Sequence, residues 1–320
     1  MPGSKRFANP GTVRSMASPS RSTGAPFGRM LTAMVTPFTA DGAVDYDRAQ
    51  SLAAYLVDVQ RNDGLIVSGT TGESPTTSDA EKERLLKAVV EAVGDRATVV
   101  AGAGTNDTHH SVELARSAER AGAHGLLVVT PYYNKPPQEG LYQHFTAVAD
   151  ATGLPVMLYD IPGRSGVPIA TTTLIRLAQH ERIVAVKDAK GDLFAGSQVM
   201  LATDLVFYSG DDALNLAWLA YGGAGFVSVV GHVVGAELAR MIADHGAGRA
   251  DEARATHQQL IPVIDGIMNR AGGAIMVKAA LKLVGQPVGG HRLPLVAADE
   301  AQIAELRACL VAGGVKLTDV

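Results

Sequence analysis

The sequence Ile-Val-Ala-Val-Lys-Asp-Ala at residues 183–189 places a lysine, Lys187, directly after four apolar residues. Apolar and mostly β-branched residues in such a run predict a short strand that is buried on both faces, as in a parallel sheet. An amine held against an apolar wall has a lowered pKa, because burial disfavours the charged form, and a neutral amine can form a Schiff base with a carbonyl substrate. A lysine in this place can also extend its amine into water, so this segment alone leaves both alternatives open.

Short apolar runs of this kind recur along the chain, and their starts are 20 to 34 residues apart, which is the length of one βα unit. The predicted strands are Leu31–Val35, Leu65–Ser68, Thr98–Ala101, Gly125–Val129, Val156–Tyr159, Ile183–Lys187, Leu205–Tyr208 and Gly225–Val229. Helical patterns lie between them, among them Asp79–Val93, Ser111–Ala121 and Glu139–Ala151. Repeats of such even length predict a (β/α)8 barrel of class α/β, with a doubly wound open sheet as the alternative.

The ends of the chain differ from this repeating part. Residues 1–29 carry five Lys or Arg and no Asp or Glu, and they are rich in Pro, Ser and Gly, which predicts a flexible basic tail. The same composition superficially resembles an organellar transit peptide. Helical patterns follow the eighth strand, at Ala236–His245, Asp251–Asn269, Ala274–Val284 and Ala301–Val311. We therefore expect the catalytic barrel at residues 30–247 and a C-terminal helical extension at residues 248–320.

Composition excludes several classes of function. The net charge of −4 gives no electrostatic reason to expect nucleic acid or an anionic membrane as a partner. Apolar runs are all too short to span a membrane. The single cysteine, Cys309, excludes an intrachain disulfide and predicts a reducing, cytoplasmic location. Neither a CxxC pair nor an HExxH motif indicates a metal site.

The polar residues that follow the predicted strands would meet at one rim of a barrel, where such folds place their active sites. Gly-Thr-Thr-Gly-Glu-Ser at residues 69–74 can be a tight turn, or it can cradle a carboxylate with backbone N–H groups and hydroxyls. Tyr159 and Lys187 are 28 residues apart and therefore end adjacent strands, so the phenol can move protons for the amine. Arg164 can be a surface charge or can bind a carboxylate with two hydrogen bonds.

Together these segments resemble the dihydrodipicolinate synthase / N-acetylneuraminate lyase family of pyruvate-dependent class I aldolases, over about residues 30–312. The motifs that carry the resemblance are GTTGES at 69–74, TPYYNKP at 130–136, YDIPGRSG at 159–166, VKDAKGD at 186–192 and SGDDAL at 209–214. The resemblance implies a condensation of pyruvate with L-aspartate 4-semialdehyde, the first committed step of diaminopimelate and lysine biosynthesis. A sister aldolase or lyase that acts on a sugar acid, and a non-catalytic barrel that senses a keto acid, remain as alternatives.

The resemblance also implies roles for individual residues. Lys187 matches the lysine that forms the Schiff base with pyruvate, and Tyr159 and Thr71 match the proton relay. Thr70 and the backbone of its turn match the group that holds the pyruvate carboxylate, while Arg164 matches the arginine that binds the carboxylate of the semialdehyde.

Further implied features concern the pocket and the assembly. Gly210 and Val227 match positions that line the pyruvate pocket, and Tyr133 matches a tyrosine that completes the relay of a neighbouring subunit. The resemblance implies a homotetramer built as a dimer of dimers. It also implies that no metal or organic cofactor is required, because pyruvate bound to Lys187 as a Schiff base takes the place of a cofactor.

Feedback by lysine is expected to be weak or absent. Relatives that lysine inhibits often carry two histidines shortly after GTTGES, and a glutamate four residues after the asparagine that matches Asn106. Asn106 and Tyr132 are present, but the histidine positions hold Asp79 and Lys82, and the glutamate position holds His110. A bound lysine brings two ammonium groups, so the loss of an anion and the gain of a cation disfavour its binding.

Overall fold

The computed structural model describes residues 24–318, and eight parallel strands form a closed barrel in them. Each strand pairs with the next one along the chain, and the last pairs with the first. This arrangement confirms the predicted (β/α)8 fold and excludes the open sheet. The strands are β1 (Met30–Ala33), β2 (Gly64–Val67), β3 (Thr98–Gly102), β4 (Gly125–Val129), β5 (Val156–Asp160), β6 (Ile183–Asp188), β7 (Val206–Ser209) and β8 (Gly225–Ser228).

Helices follow the strands and cover the outside of the barrel. Ser78 caps the N-terminus of the helix Asp79–Val93 and forms a capping box with Glu81. The local sequence therefore accounts for the start of this helix. The helices are α1 (Tyr46–Ala54), α2 (Asp79–Val93), α3 (Thr108–Arg120), α4 (Gln138–Asp150), α5 (Pro162–Ser165), α6 (Thr171–Leu177), α7 (Leu193–Ala202), α8 (Asn215–Ala220), α9 (Gly231–Gly246), α10 (Ala250–Met268), α11 (Gly273–Leu283) and α12 (Glu300–Ala312). A π-helical turn, Tyr55–Val59, continues α1, and single 3-10 turns lie at Ser74–Thr76 and Asp212–Leu214.

Two apolar layers hold the barrel together. Side chains alternate along each strand, so one set fills the interior and the other packs against the helices. The larger layer lies between strands and helices and includes Trp218, which stacks on Phe207 at 5.3 Å between ring centroids. The interior layer contains Phe27, Leu31, Ala33, Ile66, Val100, Leu127, Met157, Tyr159, Ala185, Tyr208 and Val227.

The N-terminal end of the barrel is filled by Phe27. Most of the predicted tail, residues 1–23, lies outside the described residues. Residues 24–29 do not follow the expectation of a loose tail, because Phe27 is fully buried and its backbone N–H donates to the Tyr208 hydroxyl at 3.4 Å. A Cβ on Gly125 would come within 2.4 Å of the Phe27 ring, so close contact with this ring explains a glycine at the start of β4.

The helices after β8 pack on the barrel and on each other. Helix α10 contacts α9, α11 and α12, and it contributes buried residues such as Leu260 and Val263 to the core. In residues 24–318 no single helix is long and apolar enough to cross a membrane; α10 and α11, bent by 114° at their junction, pass that test only as a pair. The division of the chain at residue 247 falls between α9 and α10 and stays a prediction.

Candidate active site

Lys187 lies at the C-terminal end of β6, between β5 and β7, where Tyr159 and Tyr208 are its direct neighbours in the sheet. The lysine is 4% exposed, and its Nζ stands 4.1 Å from the centroid of the Tyr159 ring. Because Ala185 belongs to the interior layer and side chains alternate, Lys187 also faces the barrel interior. The two residues that the sequence placed on adjacent strand ends are therefore in contact.

The surroundings of Lys187 favour its neutral amine. Burial lowers the pKa of Lys187 from 10.5 to about 7; the negative charge of Asp212 opposes this change, and the positive charge of Arg164 adds to it. At neutral pH a large share of the amine therefore carries a free electron pair, as a nucleophile requires.

Asp212 is a residue of this site that the sequence analysis did not assign, although it stands in the SGDDAL motif. It is buried, and burial raises the pKa of its carboxyl group. The carboxylate accepts hydrogen bonds from Ser228 Oγ at 2.5 Å, from the backbone N–H groups of Val229 and Val230 at 2.8 and 3.0 Å, and from Asn215 Nδ2 at 3.0 Å. Two acidic residues in succession after a strand were the signal that could have indicated it.

Gly210 leaves room for the Lys187 side chain because it has no side chain of its own. A Cβ at this position would lie 2.9 Å from Lys187 Cγ and 3.0 Å from the backbone oxygen of Asp188, so a side chain would displace the lysine. Val227 is buried in the same interior layer as Tyr159. Gly210 therefore lies against the lysine and Val227 lies in the barrel interior, and the contact of both residues with pyruvate stays a prediction.

The turn after β2 brings Thr70 to Tyr159. The side chains of these two residues are hydrogen-bonded, and burial raises the pKa of Tyr159 to about 12, so its hydroxyl keeps its proton at neutral pH. Thr71 is buried in the same turn. The resemblance implied that Thr71 belongs to the relay and that Thr70 holds the pyruvate carboxylate, whereas in the structure it is the Thr70 side chain that is hydrogen-bonded to the Tyr159 hydroxyl.

A cavity of about 240 Å³ opens beside this group of residues, a size that suits small molecules. Thr70, Tyr159 and Arg164 line it, together with Tyr132 and Ile161. Arg164 lies on the one-turn helix α5 directly after β5 and is exposed. The other predicted site residues, Lys187, Thr71, Gly210, Val227 and Tyr133, are not part of the lining.

Tyr133 is separate from the rest of the site. Its side chain is 88% exposed, and its φ of 74° lies in the left-handed region, which a tyrosine rarely adopts. The structure of one chain therefore brings together Lys187, Tyr159, Thr70, Gly210 and Arg164, but not Tyr133.

Asp79, Lys82 and His110 form a group near the start of α2 that we call the Asp79 cluster. Asp79 Oδ2 lies 2.8 Å from His110 Nε2, and Asp79 Oδ1 lies 3.6 Å from Lys82 Nζ. Lys82 Nζ also donates to the backbone oxygen of Thr77 at 2.6 Å. The one carboxylate of the cluster is thus already paired with two neighbouring side chains.

Over residues 24–318, no group of three or more His, Cys, Asp or Glu side chains is placed to hold a metal ion. The expectation that this site needs no metal or organic cofactor rests on the resemblance of the motifs.

Comparisons with known proteins agree with those motifs. The dihydrodipicolinate synthetase family model matches residues 26–312. The chain is 64% identical over 300 residues to 4-hydroxy-tetrahydrodipicolinate synthase 2 of Streptomyces coelicolor, covering 94% of this chain and 100% of that protein. It is 64% identical over 290 residues to 4-hydroxy-tetrahydrodipicolinate synthase of Acidothermus cellulolyticus, covering 91% of this chain and 94% of that protein.

A solved structure has the same fold over nearly its whole length. The crystal structure of DHDPS from Cyanidioschyzon merolae with lysine bound superposes with a TM-score of 0.88 at 43% identity, covering 91% of this chain and 99% of that one. The family resemblance inferred from the strand-end motifs is confirmed, and the chain belongs to the dihydrodipicolinate synthetase family.

Proposed function

We propose that this chain is a 4-hydroxy-tetrahydrodipicolinate synthase, a lyase that condenses pyruvate with L-aspartate 4-semialdehyde to give 4-hydroxy-tetrahydrodipicolinate. This reaction is the first committed step of diaminopimelate and lysine biosynthesis. The observation that carries the proposal is the buried Lys187 amine, with its pKa lowered to about 7, against the ring of Tyr159, which itself lines a small cavity. The names of relatives that are 64% identical to this chain support the same activity.

The first step joins Lys187 to pyruvate. The neutral amine attacks the ketone carbon of pyruvate, which gives a carbinolamine, and loss of water from the carbinolamine gives an imine. The Tyr159 hydroxyl, hydrogen-bonded to Thr70, is placed to pass a proton to the departing hydroxyl. We accordingly assign the relay to Tyr159 and Thr70, and we assign the pyruvate carboxylate to Thr71 and the backbone of the turn.

The second step forms the carbon–carbon bond. The protonated imine withdraws electrons, so the pyruvate methyl group loses a proton and becomes an enamine. The enamine carbon attacks the aldehyde of the semialdehyde, whose carboxylate is bound by Arg164 on the cavity wall. The amine of the semialdehyde then displaces Lys187, which closes the ring and returns the free lysine. These steps use groups of the chain and of the substrates, so the reaction requires no metal or organic cofactor.

The proposed assembly is a homotetramer built as a dimer of dimers, in the cytoplasm. Tyr133, 88% exposed at the rim, supports a contact in which it reaches the site of a neighbouring subunit. Phe194 and Leu201, 70% and 83% exposed, lie seven residues apart on α7 and so share one face, which supports a second contact. Cys309, a free cysteine, is compatible with a reducing compartment.

A coupled assay that follows the consumption of the condensation product tests the proposal. Turnover that requires both pyruvate and L-aspartate 4-semialdehyde supports it. Borohydride trapping of pyruvate without turnover of the semialdehyde would instead identify a sister aldolase that acts on a sugar acid. Absence of trapping would leave a barrel that binds a keto acid without catalysis.

A further inference from the structure

A buried ion pair ties the turn after β2 to the C-terminal helical extension. Glu73 and Lys278 have side chains that are 1% and 2% exposed, and Lys278 Nζ lies 2.7 Å from Glu73 Oε1. Lys278 Nζ also donates to the backbone oxygen of Gly290 at 2.7 Å and lies 4.4 Å from the centroid of the Phe38 ring. Two charges this deeply buried are stable only while each has its partners, so the contact is sensitive to the loss of either.

The second oxygen of the same carboxylate is held by the segment between α11 and α12. The backbone N–H of Arg292 donates to Glu73 Oε2 at 3.1 Å. The Arg292 guanidinium donates to Glu81 at 2.6 and 2.9 Å and to the backbone oxygen of Thr76 at 2.8 Å. Arg292 therefore contacts the chain at residue 73, at residue 76 and at residue 81 on α2.

The turn that these contacts hold has an unfavourable backbone. Ser68 and Glu73 have φ angles of 57° and 55°, in the left-handed region, although neither is glycine. Such conformations persist only where surrounding contacts impose them. The Glu73 N–H donates to the backbone oxygen of Thr70 at 3.1 Å, so the position of Glu73 is transmitted directly to Thr70.

We propose that Glu73 is a positioning residue, which fixes the Thr70–Thr71 turn for pyruvate by anchoring it to Lys278 and Arg292 of the C-terminal extension. The proposal rests on the proposed function, in which this turn holds the pyruvate carboxylate and Thr70 assists Tyr159. The extension is then part of the pyruvate site, although none of its residues lines the cavity.

Glu73→Gln tests the role at the turn. A glutamine has one acceptor oxygen, so its NH₂ group faces either Lys278 or the Arg292 N–H, both of which are donors, and one anchor is lost. We expect the KM for pyruvate to rise about tenfold or more and borohydride trapping at low pyruvate to slow in proportion, while the KM for the semialdehyde changes by less than about twofold.

Glu81→Gln is the matched control, because Glu81 also binds Arg292 but lies on α2 rather than in the turn. We expect it to lower the melting temperature and to leave both KM values at the wild-type level. The double variant Glu73→Gln/Lys278→Met removes both buried charges and is used if the single variant folds poorly. We expect the stability of the double variant to recover while its KM for pyruvate stays raised.

Three results would overturn the inference. A wild-type KM for pyruvate in folded Glu73→Gln or in the double variant would reduce the ion pair to a purely stabilising contact. Equal rises in both KM values, in Glu73→Gln and Glu81→Gln alike, would indicate general loosening. If the wild-type protein traps no pyruvate, both the proposed function and the inference fail. If the wild-type protein traps pyruvate normally and the KM for pyruvate of Glu73→Gln is unchanged, only the inference fails.

Discussion

The pH dependence of imine formation tests the chemistry of Lys187 directly. The perturbation is a change of pH between 5 and 10 at a low, fixed concentration of pyruvate. Only the neutral amine attacks the ketone, so the rate follows the deprotonated fraction of Lys187. Because burial lowers its pKa to about 7, the rate should rise about tenfold between pH 5 and 6 and become nearly constant above pH 8.

The magnitude follows from the two pKa values. An amine with the usual value of 10.5 is about 0.03% neutral at pH 7, whereas one with a pKa of about 7 is about half neutral. The protein therefore gains a factor of about a thousand in the concentration of nucleophile. The corresponding difference in proton affinity is about 5 kcal/mol, and desolvation is its largest cause.

Borohydride trapping followed by mass spectrometry of the labelled peptide measures this rate. Lys187→Ala should give no label while the barrel stays folded, which assigns the signal to this amine. Arg164→Ala removes a positive charge that lowers the pKa of Lys187, so its profile should move to higher pH. A rate that keeps rising about tenfold per pH unit up to pH 10 would mean that Lys187 is an ordinary protonated lysine and that burial does not lower its pKa.

Three further predictions concern the second substrate, the assembly and regulation. Arg164→Ala should reduce kcat/KM for the semialdehyde by about 2–5 kcal/mol of transition-state binding while imine formation persists; a loss of pyruvate labelling with normal semialdehyde kinetics would contradict this division of roles. Tyr133→Phe and Lys187→Ala should partly restore activity when their subunits are exchanged, as measured by turnover together with native mass spectrometry, and exchange without regained activity would argue against a crossing tyrosine. L-lysine should inhibit weakly or not at all at near-saturating substrates, because the only carboxylate of the Asp79 cluster already contacts two side chains that can carry positive charge. Strong inhibition by submillimolar lysine would contradict this prediction.

Sequence patterns predicted the barrel well because short apolar strands recur at even spacing, with amphipathic helices such as α2 and α3 between them. All eight strands are present, and their ends differ from the predicted ones by at most two residues. Phe27 was missed, since a single apolar residue in a Pro/Ser/Gly-rich stretch gives no periodic signal and its burial depends on the open end of the barrel.

Parts of the site depend on tertiary contacts that no local pattern contains. Adjacent residues such as Thr70 and Thr71 differ in role only through the backbone angles of their turn, so the sequence did not distinguish which of them reaches Tyr159. The partner of Glu73 lies 205 residues away on α11. Glu73 stands in the GTTGES motif, but the motif predicted neither a role nor a partner for it.

Two buried lysines in this chain show what separates a nucleophile from a structural cation. Lys187 follows an apolar strand and Lys278 sits within the apolar helix α11, so sequence alone presents them alike. Burial lowers the pKa of both, yet a carboxylate 2.7 Å from Lys278 opposes the change through a direct hydrogen bond. The Lys187 amine instead lies against the Tyr159 ring, and Asp212 acts on it only through its charge. A buried lysine therefore becomes a candidate nucleophile when no carboxylate is hydrogen-bonded to it. The Asp212 carboxylate is instead hydrogen-bonded to Ser228, Asn215 and two backbone N–H groups.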